Sequence, residues 1–187
     1  MKDKSVKEIL VTALSLFAIC AAAAGVLGFV NQITAPAIEE IQAREADEAR
    51  AAVLPAAASF EEGQTPEGEA YYIGRTADGA VAGYVFTTSA ASYGGRLELM
   101  TGIDADGTVT GITPLVIDDT PGLGMKAKDE TVQARWVGKS TQLHVIKDGT
   151  PAEDEVVAIT SATVTSKAVT GCVNRALELW ASVDKEA

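Results

Sequence analysis

Cysteine and histidine are scarce in this chain, which has two cysteines, Cys20 and Cys172, and a single histidine, His144. Cys20 lies in an apolar run and Cys172 in a predicted C-terminal helix, so we expect no disulfide between them. The sequence has no CxxC pair and no cluster of histidines and cysteines. We therefore expect neither a protein-ligated iron–sulfur cluster nor a structural zinc or other metal site.

Basic residues are also few. The chain has 15 lysines and arginines against 26 acidic residues, which gives a formal net charge of −11. Proteins that bind nucleic acid present a basic face to its phosphates. The charge balance therefore excludes nucleic acid as an expected partner.

Charge is absent from one long stretch near the N-terminus. The run ILVTALSLFAICAAAAGVLGFV, from Ile9 to Val30, contains no charged residue. A helix of that length spans about 33 Å, enough to cross a hydrocarbon core of about 30 Å. Lysines in residues 1–8 precede it, and the positive-inside rule places that end in the cytoplasm. The sequence predicts a single-pass protein of the cell (inner) membrane, with everything after Val30 on the extracytoplasmic side.

A cleaved signal peptide is the alternative, because Ala22–Ala24 offers small residues near a possible cut. Ile19 and Cys20 could also mark a lipoprotein cleavage site, although isoleucine is a poor residue before that cysteine. The apolar run continues past either site to Val30, which favours an uncleaved transmembrane helix over residues 9–30.

Residues 31–55 are predicted to form a juxtamembrane helix with a thin apolar stripe. Ala35-Pro36 is expected to begin it and Pro55 to end it. Residues 56–69 are small, polar and acidic, which is typical of a loop. They would open an extracytoplasmic domain over residues 56–187.

A β-rich region follows, in which Asp-Gly pairs mark tight turns, because such turns need positive φ. Lys128–Val137 is expected to form a short helix with Trp136 on its buried side. These elements predict an α+β domain with a mainly antiparallel sheet and packed helices. The predicted strands are Tyr71–Arg75, Val81–Thr88, Arg96–Asp104, Val109–Leu115, Gln142–Ile146 and Val156–Ile159, and the turns are at Asp78-Gly79, Asp106-Gly107 and Asp148-Gly149.

The last part of the chain has the spacing of an amphipathic helix. Ser166 is predicted to cap this helix before Lys167. Cys172 falls on the apolar stripe, so we expect a small buried side chain rather than a reactive thiol. The stripe consists of Val169, Cys172, Val173, Ala176, Leu177 and Trp180.

The segment DDTPGLGMK, from Asp118 to Lys126, is the first that could hold a ligand. Pro121-Gly122 suits the central positions of a type II turn. Gly122 and Gly124 would let the backbone approach a flat ligand closely, and Thr120 adds a hydroxyl. A plain surface turn is the alternative. Asp118 and Asp119 should point in opposite directions on an extended chain, which favours two solvated carboxylates.

The segment ITSATVTSKAVTGC, from Ile159 to Cys172, is the second. If a strand runs over Val156–Thr163, then Ser161, Thr163 and Thr165 share one face. The helix that follows has free N–H groups and the positive end of its dipole at its start, and both attract phosphate. A hydroxyl there could bind a phosphate or be esterified by it. A threonine-rich strand with a serine cap explains the pattern equally well.

Several motifs, in the same order, resemble those of the FMN-binding domain family. TSAT, Thr160–Thr163, is similar to the family's (S/T)GAT motif. SYGGRLELMTGIDADGTVTGI resembles its GYGG…GID.DG..GI segment, DTPGLG resembles ETPGLG, and VQARWVGK resembles F..QF.GK. AVLP, Ala52–Pro55, and the single N-terminal anchor also fit. The resemblance extends over nearly the whole chain. The family includes subunits of ion-translocating electron-transport complexes such as Rnf.

The resemblance implies that FMN is joined through its phosphate to Thr163, after transfer by a flavin transferase outside the cell. It also implies an electron-relay role among the other Rnf subunits in the membrane, with no independent catalysis. A stand-alone anchored flavoprotein and a flavin-free ligand-binding or scaffolding ectodomain are the alternatives. The expected FMN contacts are Thr160, Ser161, Ala162, Val164 and Thr165 around Thr163, with Thr120, Pro121, Gly122, Leu123 and Gly124. Ser161 replaces the family's glycine, and Val157 stands where relatives often have aspartate.

Overall fold

The computed structural model describes residues 2–66 and 68–183, with the backbone alone for residues 2–6 and 39. The first residue of the predicted cytoplasmic segment, residue 67 of the predicted domain and its last four residues lie outside the described residues. The chain divides into two compact units, Met1–Glu45 and Ala46–Ala187.

The N-terminal helix, α1, runs over Lys2–Val53 with Pro36 inside it. The expectation that a second helix begins at Ala35-Pro36 is therefore wrong. Proline removes a single N–H donor, and a helix whose neighbouring turns stay paired can pass through it. Among the described residues, one helix is long and apolar enough to cross a membrane, Lys7–Val53, with a mean hydropathy of 2.4 in its most apolar window.

Within the described part of the chain, five strands form an antiparallel meander in sequence order: β1 Ser59–Gln64, β2 Ala70–Arg75, β3 Val81–Ala91, β4 Arg96–Asp104 and β5 Val109–Val116. The predicted turns between β2 and β3 and between β4 and β5 are confirmed, with Gly79 at φ 83° and Gly107 at φ 93°. The predicted loop over residues 56–69 is wrong, because β1 pairs there with β2. Most side chains of β1 are exposed, so no apolar alternation marked it.

A second, smaller sheet consists of β6 His144–Ile146 and β7 Glu155–Val157, which run parallel. The predicted reversal at Asp148-Gly149 is therefore wrong as a hairpin. Gly149 does have positive φ, 107°. Asp148-Gly149 lies within the longer connection from β6 to β7. At the end of that connection the chain again runs in the direction of β6.

Along the chain between β5 and β6 come a 3₁₀ turn, Gly124–Lys128, and a short helix, α2, Glu130–Gln133. Helical structure is thus shorter than the predicted Lys128–Val137. Trp136 is fully buried, as expected, and its Nε1–H donates to Oγ1 of Thr170 at 3.0 Å. This bond satisfies the indole N–H, which a buried tryptophan requires.

The C-terminal helix, α3, covers Thr163–Ser182 and packs against β3 and β4. The predicted apolar stripe is confirmed: Trp180 is partly buried and the rest of the stripe is buried. Cys172 is 1% exposed, and burial raises the pKa of its thiol. The domain core therefore lies between α3 and one face of the sheet.

The opposite face of the sheet carries a second apolar cluster, which includes the end of α1. Val53 and Leu54 pack there with Val85 and Met100. The hydroxyl of Thr110 donates to the carbonyl oxygen of Val53 at 2.5 Å. This bond satisfies one of the carbonyls that a helix end leaves unpaired.

Candidate functional site

Helix α3 begins earlier in the chain than the sequence suggested, and β7 ends earlier as well. The strand ends at Val157 and the helix begins at Thr163. The predicted strand over Val156–Thr163, with hydroxyls on one face, is therefore wrong. Ala162 occupies the N-cap position and makes no side-chain capping bond. The amides of the first helical turn thus receive no cap from the N-cap side chain and are available to an anion.

A tight turn over residues 159–162 joins β7 to α3. The N–H of Ala162 donates to the carbonyl oxygen of Ile159 at 2.9 Å. Ser161 is in the third position of this turn with φ 62°. A turn with positive φ at that position strongly favours glycine, because other residues carry a Cβ. This geometry explains why the related motif has glycine where this chain has Ser161.

Ser166 does not cap the helix, contrary to the prediction, because α3 begins three residues before it. Its hydroxyl is fully buried. The hydroxyl donates to the carbonyl oxygen of Ala162 at 3.0 Å and accepts the N–H of Ile159 at 2.8 Å. Ser166 therefore holds both ends of the preceding turn. Arg135 adds to this anchoring, since its Nη1 donates to the carbonyls of Val157 and Ala158.

The TPGLG segment forms the predicted turn. The N–H of Leu123 donates to the carbonyl oxygen of Thr120 at 3.1 Å. Gly122 has φ 75°, and Pro121 precedes it, as a type II turn requires. The 3₁₀ turn that follows begins at Gly124.

Asp119 is buried, with 4% of its surface exposed, so the prediction of a solvated carboxylate is wrong for this residue. Its Oδ2 accepts hydroxyl hydrogens from Ser92 and Thr165, each at 2.5 Å, and its Oδ1 accepts the N–H of Gly94 at 2.6 Å. Burial raises the pKa of Asp119, but these hydrogen bonds outweigh it, and the pKa lies below its usual value. Asp118, its neighbour, is exposed as predicted.

Gly124 lies in close contact with Asp119 and Thr165. A Cβ on Gly124 would lie 2.6 Å from Oγ1 of Thr165 and 2.6 Å from Cβ of Asp119. No side chain fits at that distance. The turn after Asp119 therefore packs directly against the first turn of α3.

One cavity of about 530 Å³ lies where these segments meet. It is bounded by the tip of the β3–β4 hairpin, the TPGLG turn and the start of α3. Its lining residues are Tyr93, Thr120, Leu123, Gly124, Ser161, Ala162, Thr163, Val164 and Thr165. The two segments that the sequence singled out separately thus enclose the same space.

Most of the residues predicted to contact a cofactor line this cavity. Thr160, Pro121 and Gly122 are exposed neighbours that do not line it. Sequence reasoning missed Tyr93, which is 74% exposed at the hairpin tip. Its position in the SYGG motif was the signal that could have found it. Asp119 was missed because local geometry cannot show contacts with residues far along the chain.

Comparison with known proteins identifies the class. Residues 92–178 match the model of the FMN-binding domain. The C subunit of the Na⁺-translocating NADH-quinone reductase from Parabacteroides distasonis superposes with a TM-score of 0.52 at 23% identity, over 60% of this chain and 61% of that one. NqrC of Shewanella oneidensis gives 0.54 at 18% identity, over 65% and 66%. Residues 92–178 thus match an FMN-binding domain, and the fold is the one that these two subunits share.

Similarity to curated proteins extends over the apolar N-terminal helix as well. The G subunit of the Na⁺-translocating ferredoxin:NAD⁺ oxidoreductase complex of Acetobacterium woodii is 39% identical, over 92% of this chain and 91% of the relative. The G subunit of the proton-translocating complex of Clostridium ljungdahlii is 28% identical, over 95% and 94%. The chain belongs to the family of the G subunits of ion-translocating oxidoreductase complexes.

Proposed function

We propose that this chain is the membrane-anchored flavoprotein subunit of an Rnf-type ion-translocating ferredoxin:NAD oxidoreductase complex. In this proposal it carries FMN esterified to Thr163 and relays electrons within the complex. The observation that carries the proposal is the cavity in which the TPGLG turn meets the hydroxyl-bearing start of α3. The similarity of nearly the whole chain to G subunits supports the assignment.

The residues of the cavity fit FMN in size and chemistry. Sites for cofactors occupy about 300–1,000 Å³ and are mostly apolar with a few placed polar groups. This cavity has a volume of about 530 Å³, and Tyr93, Leu123 and Val164 line it with apolar surface. The N-terminus of α3 also lines the cavity and supplies amides and a positive dipole end for a phosphate. When bound, FMN supplies the redox chemistry, and the protein positions it.

Exposure and hydrogen bonds narrow the candidate hydroxyls of this segment to Thr163 and Ser161. Thr160 is exposed and does not line the cavity, and Ser166 is buried and holds the preceding turn. Thr165 donates its hydroxyl hydrogen to Asp119.

Thr163 and Ser161 are the remaining hydroxyls, and both line the cavity. Thr163 is the first residue of α3 and is partly buried. Within the described residues, no side-chain hydrogen bond engages its hydroxyl. An ester at this position would place the phosphate at the helix start, where the amides and the dipole stabilise it.

The proposed topology has residues 1–8 in the cytoplasm, a single membrane helix and an extracytoplasmic flavin domain. The apolar run and the lysines that precede it support this orientation. The proposed partners are the other subunits of the complex, with a flavin transferase needed for maturation. A covalent link suits an extracytoplasmic site, because a freely exchanging flavin would be lost there.

The link to Thr163 is tested by denaturing gel electrophoresis under ultraviolet light, with intact-mass measurement. The full chain is produced in cells that contain a flavin transferase and flavinylate a reference protein. We expect the wild-type band to fluoresce and its mass to increase by FMN minus one water. Thr163→Ala should lose both signals, because the ester needs the Oγ1 atom.

Thr160→Ala is the matched control, since it removes a neighbouring exposed hydroxyl outside the cavity and should leave flavin incorporation intact. A Thr163→Ala chain that fluoresces as strongly as the wild type would refute the proposed linkage. A wild-type chain without FMN, in cells that flavinylate the reference protein, would instead support the flavin-free alternative. Co-purification with polytopic membrane proteins of the complex separates the Rnf assignment from a stand-alone flavoprotein, which would be isolated alone.

A further inference from the structure

Asp119 connects each of the segments that enclose the cavity. It precedes the TPGLG turn in sequence, accepts the hydroxyl hydrogen of Thr165 from α3, and accepts hydrogen bonds from Ser92 and Gly94 at the hairpin tip. Its carboxylate does not line the cavity itself. Whatever it contributes to a ligand must therefore act through its partners.

Its bond with Thr165 determines what that residue can offer a ligand. A threonine hydroxyl has one hydrogen and two lone pairs. An ionised carboxylate accepts only, so the 2.5 Å bond takes the hydrogen of Thr165. Thr165 lines the cavity although it is only 1% exposed, so a ligand group that reaches its oxygen meets lone pairs and no hydrogen.

Its bonds at the hairpin tip fix the position of Tyr93. Ser92 and Gly94, on either side of Tyr93, are both bonded to the same carboxylate. A Cβ on Gly94 would lie 2.1 Å from the carbonyl oxygen of Asp118, which shows how closely the two segments approach. Tyr93 is therefore held at the edge of the cavity although the residue is 74% exposed.

We propose that Asp119 is a positioning residue of the flavin site, which orients the hydroxyl of Thr165 as an acceptor and holds Tyr93 at the cavity edge. This inference rests on the proposed function, and it states which group of the flavin each of these residues would contact. An acceptor at Thr165 suits an N–H or O–H donor, such as the ring imide of the flavin or a ribityl hydroxyl. An ionised phosphate has no hydrogen to donate, so it belongs at Thr163. The ring of Tyr93 offers a face for the flat isoalloxazine.

The test compares Asp119→Asn with Asp118→Asn in the full chain. Both variants remove one carboxylate, but Asp118 is exposed and adjacent. Flavin incorporation is followed over time by intact mass, and the freedom of the attached flavin by fluorescence anisotropy. We expect Asp119→Asn to incorporate FMN about tenfold more slowly, the change that one lost hydrogen bond produces. We also expect a lower anisotropy. Asp118→Asn should match the wild type.

Variants at Thr165 test the same connection from its other end. Thr165→Ser keeps the hydroxyl and should incorporate FMN faster, and hold it with higher anisotropy, than Thr165→Val. Thr165→Val keeps the shape, loses the acceptor and should behave like Asp119→Asn. If Asp119 acts through Thr165, Asp119→Asn should have a smaller effect on the rate in the Thr165→Val chain than in the wild type. A purely structural role would not distinguish serine from valine in the anisotropy of the flavin.

The outcomes separate this inference from the proposed function. A folded Asp119→Asn chain with the rate and anisotropy of Asp118→Asn would overturn the positioning role and leave the flavin linkage standing. If circular dichroism shows that Asp119→Asn does not fold, the comparison of Thr165→Val with Thr165→Ser tests the role instead. Equal incorporation rates and anisotropies of these two variants would overturn it. A wild-type chain without flavin would refute the proposed function, and this inference with it.

Discussion

The N–H of Gly94 donates a 2.6 Å hydrogen bond to Oδ1 of Asp119, across a contact too close for any side chain at Gly94. This contact joins the tip of the β3–β4 hairpin to the segment that leads into the TPGLG turn. Since the same carboxylate also binds Thr165 at the start of α3, the geometry of the cavity depends on this buried group.

Gly94→Ala should destabilise the domain. The new methyl would lie 2.1 Å from the carbonyl oxygen of Asp118, so backbone must move. We expect a loss of about 1–3 kcal/mol in the free energy of unfolding, typical of overpacking, together with reduced flavin incorporation. Thermal unfolding followed by circular dichroism measures the first effect and intact mass the second.

Gly171→Ala is the control for that substitution. Gly171 lies within α3, where a Cβ meets nothing within 4 Å. Alanine favours a helix over glycine by roughly 0.5–1 kcal/mol, so this variant should be as stable as the wild type or slightly more stable. Equal unfolding temperatures of Gly94→Ala and Gly171→Ala would contradict the close contact at Gly94.

Ser161→Gly should stabilise the turn before α3. Ser161 has φ 62°, a conformation that costs a residue with a Cβ about 1–2 kcal/mol. Part of this gain is offset by the greater freedom of glycine in the unfolded chain, about 0.5–1 kcal/mol. We expect a net stabilisation of up to about 1 kcal/mol, with flavin incorporation at least as fast as in the wild type.

Ser161→Ala distinguishes strain from the loss of the hydroxyl. Alanine removes the same hydroxyl but keeps the Cβ, so it should show none of the stabilisation. If alanine and glycine raise the unfolding temperature equally, backbone strain is not the cause.

Asp119 should make the stability of the domain depend on pH. Its pKa is lowered in the folded protein, so the unfolded chain binds more protons as acid is added. The stabilisation is fully present above the unfolded value of about 3.9 and is lost as the pH falls through the lower folded value. Thermal unfolding of the wild type and Asp119→Asn over a pH series measures this difference. A constant difference between the two chains across that window would contradict the prediction.

Thr110→Val should weaken the attachment of the end of α1 to the sheet without affecting the flavin. The hydroxyl of Thr110 donates to the carbonyl oxygen of Val53, on the face of the sheet opposite α3. Losing this hydrogen bond should cost about 0.5–1.5 kcal/mol. Thermal unfolding should show the loss while flavin incorporation stays at the wild-type rate. Thr113→Val, on the same strand, is the comparison.

Local patterns in the sequence predicted the elements whose cause is local. The apolar run predicted a long helix, Asp-Gly pairs predicted the turns before β3 and β5, and apolar spacing predicted α3. Predictions failed where contacts with residues distant in the sequence determine the structure. β1 carries no apolar alternation and exists because β2 supplies its hydrogen bonds. β6 and β7 are parallel although an Asp-Gly pair lies between them.

The same division applies to the site. The sequence alone predicted a type II turn at TPGLG and an amphipathic C-terminal helix next to a group of hydroxyls, and a resemblance selected Thr163. The start of that helix was predicted too late, because three of the hydroxyl-bearing residues lie within it. Only the tertiary structure showed that these segments enclose one cavity, that Asp119 is buried, and that Ser161 has a left-handed backbone. Asp119 and Thr165 are 46 positions apart, and no periodicity of side chains encodes a contact over that distance. Whether a hydroxyl is engaged or available depends on such contacts, because each has a single hydrogen to donate.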